Sequence, residues 1–223
     1  MFAKQTVLAV AALLAVGSAN AQVGVTADIG TTGVGAHIVV PLTTQLNARF
    51  GANYIKHDFD KTSDGVDYNL KGKLQTFDVL VDWYLTEGGS FHLTGGAVYN
   101  GNKFDVRGKP NGAGTFNING NPYTASDVGI LSGRIDFRKA APYLGIGWGN
   151  AAAQAGGWNV TTDLGMFYQG SPNVQLAVSG CTASSAICNR LAQDVEAARR
   201  QLGDDTSSFK IYPVARVSIG YRF

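Results

Sequence analysis

Apolar and polar residues alternate along most of this chain with a period of two, the spacing that puts successive side chains on opposite faces of a strand. The last stretch shows it well. Ala215, Val217, Ile219, Tyr221 and Phe223 interleave with Val214, Arg216, Ser218, Gly220 and Arg222. The same count predicts strands over 23–30, 34–40, 46–54, 76–83, 91–100, 142–148 and 158–168, eight in all with the last. Thr31-Thr32-Gly33 leaves room only for a tight turn between the first two. Connections near 42–45, 85–90 and 149–157 are short, while 57–66, 101–130 and 180–207 are mostly longer. An all-β fold follows, an eight-stranded antiparallel up-and-down barrel whose outer connections are the long ones.

Alternation alone does not say which face points inward. A soluble barrel turns its apolar face in, and a membrane barrel turns it out. The polar face here mixes many glycines with charges of both signs, which suits a crowded lumen. Trp83, Phe91, Tyr99, Trp148 and Trp158 sit near the ends of apolar stretches, where aromatic girdles occur. A transmembrane barrel is therefore expected, with both termini in the periplasm by strand parity. On its lumen face, Asp28, Asp78, Asp82 and Asp163 stand against Arg49 and Arg216 and should form an ion-paired filling. A narrow barrel of this size has no wide pore.

Three segments change phase. Apolar residues are odd from Phe77 but even before it, at Tyr68, Leu70 and Leu74. They are odd up to Tyr99 but even at Phe104 and Val106. They are odd at Ile135 and Phe137 but even from Pro142. One cause serves all three: the sheet continues above the membrane, where water replaces lipid outside and the apolar face must turn in. Three separate bulges are the competing explanation. The extension predicts those seven residues inward, as a packed plug or as the vestibule of a ligand site, with the plug preferred. It predicts Lys71, Lys73, Lys103, Arg107, Arg134 and Arg138 outward.

Residues 1–21 read as a cleaved export signal, with Lys4, an apolar run over 7–16 and the small-residue site Ala19-Asn20-Ala21. The mature chain, 22–223, is then a single barrel domain whose net charge falls from +2 to +1 on loss of Lys4. That gives no argument for nucleic acid. Cys181 and Cys188 are the only cysteines, and in an exported chain a disulfide is expected. No histidine or further cysteine lies near them for zinc, so neither metal nor cofactor is expected. Residues 115–124 read as a hairpin around Asn119-Gly120, and 191–202 as a short loop helix with Leu191, Val195, Ala198 and Leu202 on one stripe. Glu196 and Arg200 pair along it, and Gly203 is placed to stop it.

His37 and His92 fall on the inward face, and His57 near a loop. Lipid-modifying barrel enzymes set a histidine with a serine or acid at the outer rim. Ser90 and His92 fall at the opposite end, so no enzyme is expected.

With these residues in view, the chain resembles small Gram-negative outer-membrane β-barrels of the OmpA-like and OmpW-like group. The ending Val217-Ser-Ile-Gly-Tyr-Arg-Phe223 resembles their assembly signal, carried by Val217, Ile219, Tyr221 and Phe223. The resemblance implies an integral protein of the bacterial outer membrane, porin-like in build, whose partners are outer-membrane lipid, lipopolysaccharide and the barrel assembly machinery. The expected role is structural or surface-interacting. The alternative, implied by OmpW-like barrels, is binding or transport of small apolar molecules. A soluble periplasmic barrel is the distant third.

Overall fold

In the computed structural model the alternating segments pair into thirteen strands, eleven of them in one antiparallel sheet. The structure describes residues 23–63, 66–110, 114–152 and 156–223; the expected export signal lies outside them. The strands are β1 (Gly24–Gly30), β2 (Gly33–Pro41), β3 (Leu46–Ser63), β4 (Val66–Tyr84), β5 (Phe91–Asn100), β6 (Lys103–Pro110), β7 (Thr115–Ile118), β8 (Asn121–Thr124), β9 (Ile130–Asp136), β10 (Ala140–Trp148), β11 (Gly157–Tyr168), β12 (Asn173–Ser179) and β13 (Ile211–Arg222). Among the described residues two helices interrupt them, α1 (Ala125–Val128) and α2 (Ser185–Thr206).

Eight strands close a ring. β1 pairs with β2, and pairing runs on through β3, β4, β5, β10, β11 and β13, which returns to β1. The ring matches the strands expected from alternation, but the expected count of eight leaves out part of the sheet. β6, β9 and β12 lengthen it above the ring, in the order β12-β9-β6-β4-β3. On the β1–β2 side the wall ends at the Thr31-Thr32 turn, where Gly30 faces Gly33. On the β3–β4 side it continues to Ser63 opposite Val66. The segment 57–66, read as an outer loop, is therefore mostly strand, and His57 stands within β3.

Register explains the phase changes. β3 faces β4 from Leu46 opposite Trp83 to Ser63 opposite Val66 without a slip. β4 carries its β5 register onto β6: Thr76 faces Asn100, and three residues along, Lys73 faces Lys103. Ala140 faces Tyr99, and four residues on, Asp136 faces Lys103. The backbone keeps its faces while the sequence exchanges which face is apolar, so the three expected positions carry no net bulge. At the β5–β6 junction the Gly101 amide donates to the Gln75 carbonyl at 2.7 Å, and the Asn102 side chain accepts from the Gln75 amide at 2.9 Å. A slip of one does occur elsewhere. Tyr143 faces Phe167, but Asp136, seven residues earlier, faces Asn173, only six later. It falls within 169–172, where Gly170 has φ +71°.

Above the ring, β7 and β8 form the expected hairpin, with Asn119 and Gly120 both at positive φ as a type I′ turn requires. The helix is not short. It starts at Ser185, capped by the Ser184 side chain accepting from the Ile187 amide, and runs past Gly203 to Thr206. Gly203 stays helical, and the Thr206 hydroxyl instead donates to the Leu202 carbonyl at 2.6 Å within the last turn. Leu191 and Val195 bury against Val66, Phe116, Ile118, Tyr123 and Val128. Cys181 and Cys188 form the expected disulfide, tying the preceding loop to the first turn of α2.

Candidate functional site

Inside the ring, alternation from several strands converges on a buried belt of charge. Arg49 of β3 donates to Asp163 of β11 through both terminal nitrogens, at 2.9 and 3.0 Å, and to Asp82 of β4 at 3.0 Å. Thr94 of β5 donates to Asp82, and His92 lies 3.4 Å from Asp163. His37 of β2 bridges Asp28 of β1 at 2.8 Å and Asp78 of β4 at 3.0 Å. Arg216 of β13 lies 3.5 Å from Asp28, 3.4 Å from Asp78 and 3.0 Å from the His37 ring. The six charges singled out in the sequence thus meet in one lumen, joined by the two inward histidines. Asp163 keeps 1% of its surface.

Glycine makes room for these rings. A methyl group at Gly51 would sit 1.9 Å from the His37 ring, and one at Gly147 would sit 2.3 Å from His92. Beside the belt, Leu80, Val98, Ala141, Tyr143, Phe167 and Val214 form an apolar cluster, with Tyr212 stacked on Phe167 at 4.8 Å. The gap between Asp78, Tyr143 and Arg216 has no room for a water molecule. The lumen is filled at this level.

The lumen face then continues upward and becomes apolar. Phe59 faces Leu70, which faces Val106; Ile55 faces Leu74; Phe104 faces Ile135, which faces Val174. Tyr68, Leu70, Leu74, Phe104, Val106 and Ile135 therefore share one face, as the unbroken register requires. Phe137 falls in the break between β9 and β10 and belongs to no strand. Lys71, Lys73, Lys103, Arg107 and Arg134 alternate onto the other face; Arg138 lies beyond the end of β9.

The preferred plug is not what fills this face. Helix α2 and the β7–β8 hairpin cover only its upper part, at Tyr68, Leu131, Leu176 and Val178. Nearer the ring a hollow of about 570 Å³ remains, lined by Ile55, Phe59, Leu70, Leu74, Phe104, Val106, Ile135, Val174, Leu176 and Leu202, with His57 its histidine. Two sets of lining residues escaped the sequence reading. On β3 the apolar parity flips from Tyr54 to Ile55 and Phe59, a fourth phase change like the other three. On β12, Val174, Leu176 and Val178 alternate too, but the one-residue slip hides their continuity with Phe167.

The outward face of the ring is apolar and bare. Leu144 is 70% exposed and Trp158 76%, and Ile29, Val34, Val160, Leu164, Val217 and Ile219 join them. Tyr221 packs edge-on against Trp158 at 5.4 Å and Phe223 at 5.2 Å, so all four residues of the terminal motif face out.

The overall fold is similar to that of known structures. The crystal structure of Acinetobacter baumannii CarO2 superposes with a TM-score of 0.57 at 20% identity, covering 91% of this chain and 99% of that one. The fold resembles that of CarO. A second CarO crystal structure from A. baumannii gives a TM-score of 0.55 at 22% identity, over 91% of this chain and 98% of CarO. No family model matches the chain, and no curated protein sequence matches it. Among the described residues no cluster of histidine, cysteine and acidic side chains could hold a metal.

Proposed function

We propose that this chain is an integral outer-membrane β-barrel that receives small apolar molecules in the hollow above its filled lumen. The hollow carries this reading. Its volume falls within the roughly 300–1,000 Å³ typical of small-molecule pockets. Its walls come from five strands and one helix, and nearly all of its lining is hydrocarbon. The bare apolar belt around the ring supports the membrane, where lipid takes the place of water against Leu144, Val160 and Ile219. The start of β1 and the end of β13 meet, Gly24 opposite Arg222, at the end of the ring with short turns, which supports a periplasmic face there and an outer hollow. Val217, Ile219, Tyr221 and Phe223 all stand exposed on this belt, which is consistent with the assembly role proposed for them.

The ligand stays above the barrel in this reading, because the Arg49 and Arg216 clusters and the layer at Tyr143 and Phe167 block a direct route down. The reading requires no catalysis. The His92 ring faces Asp163 inside the lumen and the Ser90 backbone carbonyl.

A hydrophobic fluorescent probe such as N-phenylnaphthylamine tests the reading with the protein in lipid nanodiscs. Saturable binding is expected, weakened roughly tenfold or more by Phe104→Asp or Val106→Asp, which set an unpaired charge in an apolar wall. Binding that these variants leave untouched would return the function to a purely structural or surface-interacting role. That second role has its own support in the clamp of α2 on the hairpin, which presents a fixed outer surface.

A further inference from the structure

The outward face of the extended sheet carries a row of cations at one height. Lys56 of β3 is paired directly with Lys73 of β4, and Lys73 directly with Lys103 of β6. Neighbouring strands lie about 4.8 Å apart, so three like charges stand side by side, an arrangement that repels. Their own carboxylates relieve this only in part. Lys56 reaches Asp58 at 2.8 Å, and Lys103 reaches Asp105 at 3.5 Å and faces Asp136 across the β6–β9 pair, but Asp105 is shared with Arg134. Lys73, in the middle, lies 5.6 Å from the centre of the Tyr54 ring and has no carboxylate partner among the described residues.

Position decides what anion fits. On the same outward face, Tyr54 is two residues from Lys56, Phe77 four from Lys73, and Tyr99 four from Lys103. These rings are about half exposed, and Phe77 and Tyr99 lie 6.1 Å apart at the upper edge of the apolar belt. Aromatic girdles sit at headgroup level, and lysine stems extend along apolar surface to place their ammonium groups beyond it. A phosphate there would accept charge-assisted hydrogen bonds from several ammonium groups and cancel their mutual repulsion.

We propose that Lys56, Lys73 and Lys103 form a binding site for the phosphate of an outer-leaflet phosphorylated lipid. The site rests on the membrane reading of the apolar belt. It holds the barrel's height and rotation in the bilayer on the side where the wall is tallest, on the outer face of the wall that lines the apolar hollow.

The folded protein in neutral detergent is titrated with diphosphorylated lipid A and followed by native mass spectrometry. Each Lys→Gln change in the row should weaken binding roughly fivefold, and the triple variant roughly a hundredfold. Lys73→Arg should bind like the parent. Arg107→Gln and Lys109→Gln, on the same face but far from the ring, should leave affinity unchanged. Heat-modifiable mobility on gels checks that each variant is folded, and the single variants carry the test if the triple one is not. Equal binding by the triple variant overturns the site. So does an equal loss from Arg107 and Lys109, equal binding of lipid A stripped of its phosphates, or displacement by inorganic phosphate at matching concentration. Flotation of the parent protein with vesicles is scored separately. Failure to float overturns the membrane reading, whereas floating protein indifferent to phosphate overturns only the site.

Discussion

Arg49 shows what a single side chain does inside the ring. Its guanidinium is buried, and it reaches two carboxylates from different strands, Asp82 of β4 and Asp163 of β11. It therefore fastens opposite walls of the lumen to each other. Arg49→Met keeps a long side chain but leaves two buried carboxylates without their shared cation. Removing one partner of a buried ion cluster costs about 3–5 kcal/mol, because the stranded charge keeps its desolvation penalty. Urea unfolding of the barrel in lipid vesicles should show that loss, and a change below about 1 kcal/mol would mean water reaches the belt. The glycines across from the rings belong to the same design. Gly51 has no side chain because the His37 imidazole occupies the space.

Among the elements, α2 and the hairpin have the most conditional attachment. Asp194 accepts from the Asn119 side chain at 3.1 Å, from Asn121 at 2.9 Å and from the Tyr123 hydroxyl. The Tyr123 and Asn119 hydrogen bonds hold its carboxyl below the usual range. A carboxylate depressed by folding stabilises fully above its unfolded value near pH 3.9, and that contribution is lost as pH falls through the lower, folded value. The clamp should therefore hold at neutral pH and release in acid below about pH 4. Hydrogen exchange of residues 115–124 should rise there while the ring strands stay protected. Asp194→Asn should give the same rise at neutral pH. Glu196 is held down to about 2 by its hydrogen bonds from Arg199 and Arg200, but these lie within one helix and leave the hairpin alone.

The whole molecule is a ring with one tall wall, and in the proposed membrane setting two solvents sort its residues. Around the ring, hydrocarbon would then cover the bare apolar face. Leu144, between Gly95 and Met166, is near the middle of that band. Leu144→Arg should cost about 2–4 kcal/mol in a bilayer, the price of a charge at the midplane of a barrel. In a soluble barrel the same exposed substitution would be nearly neutral. Equilibrium folding into vesicles distinguishes the two. Above the ring the arrangement reverses, with cations facing out and Leu70, Phe104 and Ile135 facing the hollow.

Strands with period-two patterns could be recognised from sequence because the pleat forces alternation wherever the two faces meet different surroundings. The ring, the lumen charges Arg49, Asp163 and Arg216, and the phase changes near 75, 101 and 139 were therefore legible. The strand count was not. β6 and β9 read as upward continuations of the fifth and sixth strands rather than as strands of their own, and a one-residue slip after Tyr168 conceals β12. Nor could alternation say whether the inward set at Leu70 and Phe104 is filled. It fixes the side to which a residue points, whereas filling depends on how far α2 and the hairpin reach across the sheet. Their packed cluster ends at Tyr68 and Leu176, and the hollow is what it leaves open, with Leu202 of α2 on its border. The lysine row is likewise a product of register. Lys56, Lys73 and Lys103 are scattered in the chain and become neighbours only because pairing across β3, β4 and β6 sets them at one height.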